Sequence, residues 1–281
     1  MSPKIAFQGE LGAYGHEACV TARPDHDPLP CTTFDSAIQA VRDGKADLGM
    51  IAVENSTYGR VADVHSLLPE SGLHIVDETF VRVHINLLGI PGTALAQVKE
   101  AFGHPVILPQ CATFLKDHGI HGRTSSDNAR AARDVAESRD PRMAALASEL
   151  AADIYGLEVL ARHIEDHARN TTRFLIMANA PDYTRRGAFG MVTSFVFRVR
   201  NIPAALYKAM GGFATNGVNM TKLESYMVGG DFRATQFYAE IEGHPEDANV
   251  ARALEELAYF TNHLVIICGY PAAARRHEEA H

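Results

Sequence analysis

Short apolar stretches alternate with helix-like stretches up to about residue 160 of this 281-residue chain. Residues 4–7, 47–53 and 83–90 are apolar enough for buried strands, and helical periodicity is found at 32–44 and 129–138. Such alternation builds sheets of mostly parallel strands with helices on both faces. The sequence therefore predicts an α/β fold with a doubly wound architecture, and about 150 residues per domain makes two domains the expected number.

Two further helices are predicted, at 94–102 and in the small-residue segment 144–155. Thr32 is expected to cap the helix at 32–44, with Gly44 ending it.

The alternating pattern forms two blocks, because the chain leaves the first block at about residue 82 and returns near 165. The blocks predict two lobes around a cleft within a domain spanning 1–180. Lobe one is expected at about 1–82 plus 165–180, and lobe two at about 83–164.

The sequence pattern changes near residue 185, and a linker is expected at about 180–190. Residues 190–271 show strand and helix patterns in the order βαββαβ, including a hairpin signature at 229–231, which predicts a ferredoxin-like module. Such modules often pair through strand edges or helices, so a homodimer is expected. The charged, alanine-rich residues 272–281 are expected to form a flexible tail.

Composition excludes several classes of function. There are 26 Lys and Arg against 34 Asp and Glu, and no basic stripe, which argues against a nucleic-acid partner. No apolar run reaches the length of a membrane span, and no signal-peptide pattern is present. The four cysteines fit no zinc or redox spacing and are expected to be reduced. These features predict a cytoplasmic protein.

Three local motifs leave alternatives open. The glycine-rich turn at 9–16 could bind an anion through backbone N–H groups, but its spacing favours a tight turn. The polar segment 54–60 follows a predicted strand, where a ligand site and a capped turn are equally compatible with the pattern. His163 and His167 have the spacing of a metal pair, but with no third ligand nearby solvated histidines are favoured, and no metal site is predicted.

A hydroxyl and a guanidinium stand side by side at Thr172-Arg173, just before an apolar, strand-like run. By itself such a pair carries little functional information. Gln110 lies near the start of a helix predicted at 112–116, a suitable place to meet a carboxylate.

Six motifs, in one order along about residues 4–270, resemble the prephenate dehydratase family, whose catalytic region is followed by a regulatory ACT domain. The catalytic fold that this resemblance implies is two-lobed and periplasmic-binding-protein-like. The motifs are Gly9–His16, Glu54-Asn55-Ser56 with Gly59-Arg60-Val61, His104-Pro105 with Gln110-Cys111, Asn170 with Thr172-Arg173-Phe174, Asn201–Leu206, and Gly217–Ser225.

The resemblance implies a lyase that removes CO₂ and water from prephenate to give phenylpyruvate in phenylalanine biosynthesis, without a cofactor. Thr172 would be the essential hydroxyl, and Arg173 would hold or balance a substrate carboxylate. The other implied catalytic residues are Asn55, Gln110 and Glu54, and the implied substrate-binding residues are Ser56, Gly59, Tyr14 and Phe174. The family usually has Ser or Thr where this chain has Gly15, Gly103 and Asn128.

In the ACT domain the resemblance implies inhibition by L-phenylalanine bound between paired domains, in a homodimer or a tetramer. The implied phenylalanine-binding residues are Asn201, Ala204, Ala205, Leu206, Asn219, Leu223, Glu224 and Ser225. The chain departs from the family pattern at Ala204, where Gly is usual, and at Tyr226-Met227, where Arg-Pro is usual.

Two other functions remain as alternatives. Arogenate dehydratase performs the same chemistry on an aminated substrate, and no residue of the sequence identifies which substrate is preferred. A non-catalytic amino-acid sensor is disfavoured by Thr172-Arg173-Phe174, because a sensor needs no proton donor.

Overall fold

The computed structural model describes residues 2–167, 169–188, 190–200, 202–227, 234–274 and 276, without the side chains of residues 65, 234 and 235. The chain divides into two compact units. The first comprises Met1–Val61 and Thr79–Phe174, and the second Ala62–Glu78 and Leu175–His281. This division differs from the expected boundary near residue 180, because residues 62–78 group with the C-terminal part of the chain.

The strands and helices alternate along the chain. The strands are β1 (Lys4–Gln8), β2 (Asp27–Cys31), β3 (Leu48–Asn55), β4 (Gly59–Arg60), β5 (His74–Arg82), β6 (Asn86–Gly89), β7 (Glu100–Gly103), β8 (His121–Thr124), β9 (Met143–Ala147), β10 (Glu158–Ala161), β11 (Thr171–Ala178), β12 (Met191–Val199), β13 (Met220–Met227), β14 (Ala234–Glu242) and β15 (Thr261–Pro271). The helices are α1 (Tyr14–Ala22), α2 (Phe34–Arg42), α3 (Ala62–Leu67), α4 (Ala112–Asp117), α5 (Asn128–Ser138), α6 (Glu149–Tyr155), α7 (Ala205–Thr215) and α8 (Ala248–Phe260).

The first sheet has the strand order β2-β1-β3-β11-β5, with β4 attached to β3. Strand β1 pairs in parallel with both β2 and β3, as expected, whereas β4 turns back antiparallel on the end of β3. Strand β5 was not predicted from the sequence. The side chains of Ile5, Phe7 and Ile51 are completely buried, which explains why β1 and β3 form apolar runs without alternation.

The second sheet has the order β10-β6-β9-β7-β8 and is mixed. Strands β7, β8 and β9 are parallel, but β6 pairs antiparallel with both β9 and β10, so the expectation of a mostly parallel sheet is wrong here. Both faces are covered. Leu87 and Leu146 belong to the apolar cluster on one face, and Leu88 and Ala145 to the cluster on the other.

In this part of the chain one predicted helix is wrong and another is confirmed only in its second half. The segment 94–102 holds a single 3₁₀ turn, Leu95–Gln97, followed by strand β7. The segment 144–155 begins as strand β9, and helix α6 starts only at Glu149. Alanine favours helices, but residues 144–147 are completely buried in the centre of a sheet, and burial overrides that propensity.

The ends of helix α2 follow from its capping residues. Its cap is Thr33 rather than the expected Thr32, because the Thr33 hydroxyl accepts a hydrogen bond from the Ser36 N–H at 3.0 Å. Beyond the helix, Gly44 adopts a left-handed φ of 69°, which glycine accommodates without steric strain.

The second unit contains the βαββαβ module that the sequence predicted. Strands β12 to β15 form a four-stranded sheet in the order β13-β14-β12-β15, and each of its pairings is antiparallel. Phe195, Phe197 and Phe237 pack with residues of α7 and α8 in one apolar cluster. The hairpin at 229–231 lies outside the described residues.

The segment expected to be a flexible tail begins with hydrogen-bonded residues. The Ala272 N–H donates to the Gly190 carbonyl at 2.9 Å, and the Ala273 N–H donates to Glu78 Oε1 at 2.9 Å. Arg276 forms ion pairs with two buried carboxylates, Glu78 and Glu240. The described part of 272–276 is therefore bound within the second unit.

Candidate active site

The first unit contains a cavity of about 400 Å³ where the carboxyl ends of β1 and β3 meet the amino end of β11. This volume suits a small organic ligand. Six of the nine predicted catalytic and substrate-binding residues line it: Tyr14, Asn55, Gly59, Gln110, Thr172 and Phe174.

The amide of Asn55 orients the hydroxyl of Thr172. Asn55 Nδ2 donates to Thr172 Oγ1 at 3.0 Å and to Asn170 Oδ1 at 2.7 Å, while Asn55 Oδ1 accepts the backbone N–H groups of Thr57 and Tyr58. The Thr172 oxygen thus accepts one hydrogen bond, and its own hydrogen must point away from Asn55. The hydroxyl is therefore available to donate a proton to a molecule in the cavity.

A second amide pair extends this network to the other sheet. Asn170 Nδ2 donates to Gln110 Oε1 at 2.5 Å, and Gln110 Nε2 donates to the Val106 carbonyl at 2.9 Å. Gln110 lies in a 3₁₀ turn, Leu108–Cys111, that precedes α4. Both amides are buried and hydrogen-bonded at each end, so the network holds the Thr172 hydroxyl in one orientation.

Tyr14 and His104 contribute further polar groups to the cavity wall. The Tyr14 hydroxyl donates to the His84 carbonyl at 2.8 Å, and burial raises the pKa of Tyr14 well above its usual value, so the phenol stays protonated. His104 Nδ1 accepts the Val106 N–H at 3.2 Å, which leaves Nε2 as the nitrogen that carries the proton.

Much of the rest of the cavity lining is apolar. Phe34, Met50, Val61, Val83 and Phe174 contribute to it. Apolar lining together with a few fixed polar groups is typical of a site that binds a small, partly hydrophobic molecule.

Comparison with known proteins shows the family to which the chain belongs. The profile of the prephenate dehydratase family matches residues 5–182, which includes every residue of the cavity. The chain belongs to the prephenate dehydratase family. This is a family of lyases, and prephenate dehydratases act in the synthesis of aromatic amino acids.

Similar proteins are known from bacteria and plants. A bifunctional N-acyl-homoserine lactone acylase/prephenate dehydratase from Komagataeibacter europaeus is 50% identical over 97% of both chains. Arogenate dehydratase/prephenate dehydratase 1 from Arabidopsis thaliana is 35% identical over 95% of this chain and 72% of its own. The structure of prephenate dehydratase from Arthrobacter aurescens in complex with L-Phe superimposes with a TM-score of 0.87, at 28% identity, over 95% of this chain and 90% of that one.

The two residues of the family's Thr-Arg pair, Thr172 and Arg173, face opposite sides of strand β11. Thr172 and Phe174 line the cavity, but Arg173 does not, because neighbouring residues of a strand point to opposite faces. The Arg173 side chain is only 3% exposed and its Nη1 lies 3.1 Å from Glu54 Oε1. Arg173 and Glu54 thus pair with each other outside the cavity lining, and the expectation that Arg173 holds or balances a substrate carboxylate stays a prediction.

Ser56 does not belong to the cavity lining either. It forms hydrogen bonds with the backbone of the segment that precedes Thr172. Its backbone N–H donates to the Thr171 carbonyl, and its Oγ accepts the Thr171 N–H, both at 2.9 Å. Ser56 Oγ donates in turn to the Arg169 carbonyl at 3.2 Å. Ser56 thus fixes the chain just before Thr172.

Two departures from the family pattern have a packing explanation. A Cβ atom on Gly15 would lie 3.1 Å from a ring carbon of Phe7, and one on Gly103 would lie 3.1 Å from Cβ of Leu146. At the third departure, Asn128 Oδ1 accepts the His104 N–H at 2.8 Å. Asn128 therefore supports a residue of the cavity wall.

Several lining residues had no role assigned from the sequence, among them Arg60, His104, Asp127 and Asn170. Arg60, His104 and Asn170 lie inside the family motifs, so their position there was the available signal. Asp127 lies outside the family motifs, so nothing in the sequence indicated that it lines the cavity. Its Oδ1 caps helix α5 by accepting the Ala129 and Arg130 N–H groups.

The residues expected to bind phenylalanine lie in the second unit. Ala204 precedes α7 with a left-handed φ of 59°, a conformation that suits the family's glycine and strains alanine by about 1 kcal/mol. Ala205 and Leu206 begin α7, Asn219 precedes β13, and Leu223, Glu224 and Ser225 lie on β13. Asn201 lies outside the described residues. A cavity of about 370 Å³ is lined by Ala205 together with Arg200, Lys208, Tyr259 and Phe260.

Within the described residues, histidine, cysteine, aspartate and glutamate form no group of three or more that could hold a metal ion. No helix in the described parts of the chain is long and apolar enough to cross a membrane.

Proposed function

We propose that this protein is a prephenate dehydratase and that Thr172 donates the proton to the departing hydroxyl group of prephenate. One observation carries the proposal. Thr172 Oγ1 lies on the cavity wall and accepts a 3.0 Å hydrogen bond from Asn55, so its own hydrogen is left to donate.

The reaction breaks two bonds of the substrate. The ring carboxylate leaves as CO₂, and the electron pair of its C–C bond moves through the ring and expels the hydroxyl group at the opposite carbon. That oxygen takes a proton from Thr172 and leaves as water, and Thr172 recovers a proton from solvent. Aromatisation of the ring drives the step, so the protein need supply neither an electron sink nor a covalent nucleophile.

Threonine is a weak acid, and its neighbours must compensate. As the proton moves, negative charge develops on Thr172 Oγ1, where the Asn55 N–H is already in place to stabilise it. The Asn170 and Gln110 amides fix Asn55 in turn. A positioned acid of this kind contributes about 10²–10⁴ in rate.

The test is turnover of prephenate by purified protein at neutral pH, measured as phenylpyruvate formed. Thr172→Ala is expected to lower kcat by about 10²–10⁴ with little change in KM, and Thr172→Ser to keep most of the activity. Thr57→Ala is the matched control, since the Thr57 hydroxyl donates only weakly to the Arg169 carbonyl, at 3.4 Å. A near-normal rate in Thr172→Ala would remove Thr172 from this role.

Arogenate is the alternative substrate, because a plant relative is named for both activities. The same assay with arogenate, followed as phenylalanine formed, measures the preference directly. Higher kcat/KM for arogenate would replace the proposed substrate and leave the role of Thr172 intact.

We also propose that the second unit is an ACT domain through which L-phenylalanine inhibits the enzyme, and that the enzyme is a homodimer or a tetramer of two such dimers. The βαββαβ order and the L-Phe complex of the Arthrobacter aurescens relative support this. The cavity beside Ala205 offers two cations for a carboxylate and two aromatic side chains for a phenyl ring. Inhibition by L-phenylalanine and not D-phenylalanine, with sedimentation to determine the assembly, tests the proposal.

A second activity, amide hydrolysis of N-acyl-homoserine lactones, is supported by the 50% identity to the bifunctional relative. The apolar cavity wall could hold an acyl chain. Incubation with an N-acyl-homoserine lactone should release the fatty acid and homoserine lactone. Absence of both products would limit the protein to the lyase reaction.

We also propose that the protein is cytoplasmic. The four cysteines form no disulfide, which supports this location.

A further inference from the structure

We propose that Arg60 is the residue that binds a carboxylate of the substrate, an inference that rests on the proposed function. Prephenate carries two carboxylates, and a site that recognises it needs at least one cation or a set of N–H donors. The family's Thr-Arg motif suggested Arg173 for this role, but Arg173 is buried against Glu54 and does not line the cavity.

Arg60 is the one side chain with a permanent positive charge among the described residues that line the cavity. The cavity wall also holds His104, whose Nδ1 already accepts a backbone N–H. The Asp127 carboxylate, the one acidic group in the described lining, is engaged as the cap of α5. An anionic ligand therefore finds its cation at Arg60.

The backbone links Arg60 to the proton-donating pair. Strand β4 folds back on the end of β3, so that Gly59 lies opposite Asn55 and Arg60 opposite Glu54. The intervening turn is held by Asn55 Oδ1, which accepts the N–H groups of Thr57 and Tyr58, and Gly59 adopts a φ of 76° that glycine tolerates. Asn55 thus orients Thr172 with one end of its amide and the turn that carries Arg60 with the other.

This arrangement determines where a substrate can lie. A guanidinium binds a carboxylate through two parallel N–H···O bonds and so fixes orientation as well as charge. With the carboxylate held at Arg60 and the leaving hydroxyl at Thr172, two fixed points on the wall orient the substrate between them.

The role is tested by steady-state kinetics with prephenate. Arg60→Ala and Arg60→Gln should raise KM by about 10–100-fold, as expected for a lost charged hydrogen bond, and change kcat by less than about threefold. Arg60→Lys keeps the positive charge but cannot form the two parallel N–H···O bonds of a guanidinium. Its KM should therefore fall between those of the wild type and Arg60→Gln. Arg42→Ala, at the exposed end of α2, is the control and should leave KM unchanged.

Direct binding separates this inference from the proposed activity. Calorimetry with prephenate should show that Arg60→Ala weakens binding to the catalytically impaired Thr172→Ala protein by the same 10–100-fold. An equal Kd in the single and double variants overturns the role of Arg60, whether or not the wild type turns prephenate over. If prephenate binds tightly and only turnover is missing, the proposed function fails while Arg60 keeps its role. If prephenate does not bind at all, both fail.

Discussion

Arg276 offers a test of how the second unit is held together, because one guanidinium serves two buried carboxylates. Its Nε and Nη2 donate to the two oxygens of Glu78 at 2.6 and 2.8 Å, and Nη2 also donates to Glu240 at 2.8 Å. Both carboxylate side chains are 0% exposed, while Arg276 is 18% exposed. We predict that Arg276→Met, which keeps an unbranched aliphatic chain, strongly destabilises the protein.

The magnitude follows from the burial of the carboxylates. Two opposite charges about 4 Å apart attract by about 4 kcal/mol at the effective dielectric constant of a protein. Removing one partner of a buried pair costs about 3–5 kcal/mol, because the remaining charge is left without compensation. The Tyr238 hydroxyl and the Ala273 N–H still donate to the two carboxylates, so the lower end, about 3 kcal/mol, is expected. For a chain of this size that lowers Tm by about 6–12 °C.

The assay is thermal unfolding at pH 7 followed by calorimetry. Arg142→Ala is the control, since the Arg142 side chain is 72% exposed beside Asp140, and such surface pairs contribute little. Adding Glu78→Gln and Glu240→Gln to Arg276→Met neutralises the two buried carboxylates that lose the guanidinium and should restore part of the lost stability. The reasoning is refuted if Arg276→Met melts within about 1 °C of the wild type, or if neutralising the carboxylates lowers Tm further.

Two further predictions follow from groups buried in the first unit. Burial raises the pKa of Cys19 and of Cys111 to about 12, so only about one in 10⁴ of these thiols is ionised at pH 8. Iodoacetamide should therefore modify the partly exposed Cys31 first, and mass spectrometry showing equal labelling of Cys19 in native protein would contradict this. Burial lowers the pKa of His16, whose Nδ1 accepts the Gly12 N–H at 3.0 Å. Since the unfolded chain binds the proton more readily, stability should fall as pH drops from about 6.5 towards the folded pKa. His16→Gln should flatten that part of the Tm–pH curve, and an unchanged slope would rule out His16 as its source.

The fold was predictable wherever local pattern and burial agree. Strand β1 and helix α5 match their sequence patterns, since the Asp127 side chain caps α5 as its residue type suggests. Strand β9 was not predictable, because its alanine-rich segment favours a helix and only burial within the sheet overrides that preference. Strand β7 was not predictable either, since its segment was read as part of a helix and holds only four strand residues. No sequence pattern indicated the ion pairs of Arg276 either, since its partners lie 198 and 36 residues away in the chain.

The site was predictable to the extent that the family motifs carried it. Asn55 and Thr172 are 117 residues apart, and no local pattern brings them within 3.0 Å. The position of Arg173 on the other face of β11 from Thr172 could have been predicted from the sequence. In any strand, neighbouring side chains point to opposite faces, so Thr172 and Arg173 could not both face the same cavity.

Thr172, the proposed acid, is held in the amide network by residues from both sheets that border the cavity. Thr172 belongs to the first sheet, but Asn170 ties its orientation to Gln110, which lies between β7 and β8 of the second sheet. The hydroxyl is therefore correctly oriented only while the Asn170–Gln110 bond connects the two sides of the cavity. In the proposed mechanism the donor is thus held by the protein's own amide groups. Preorganised donors of this kind need no rearrangement as charge develops on a departing oxygen, which is how a side chain as weakly acidic as threonine would serve as the proposed acid.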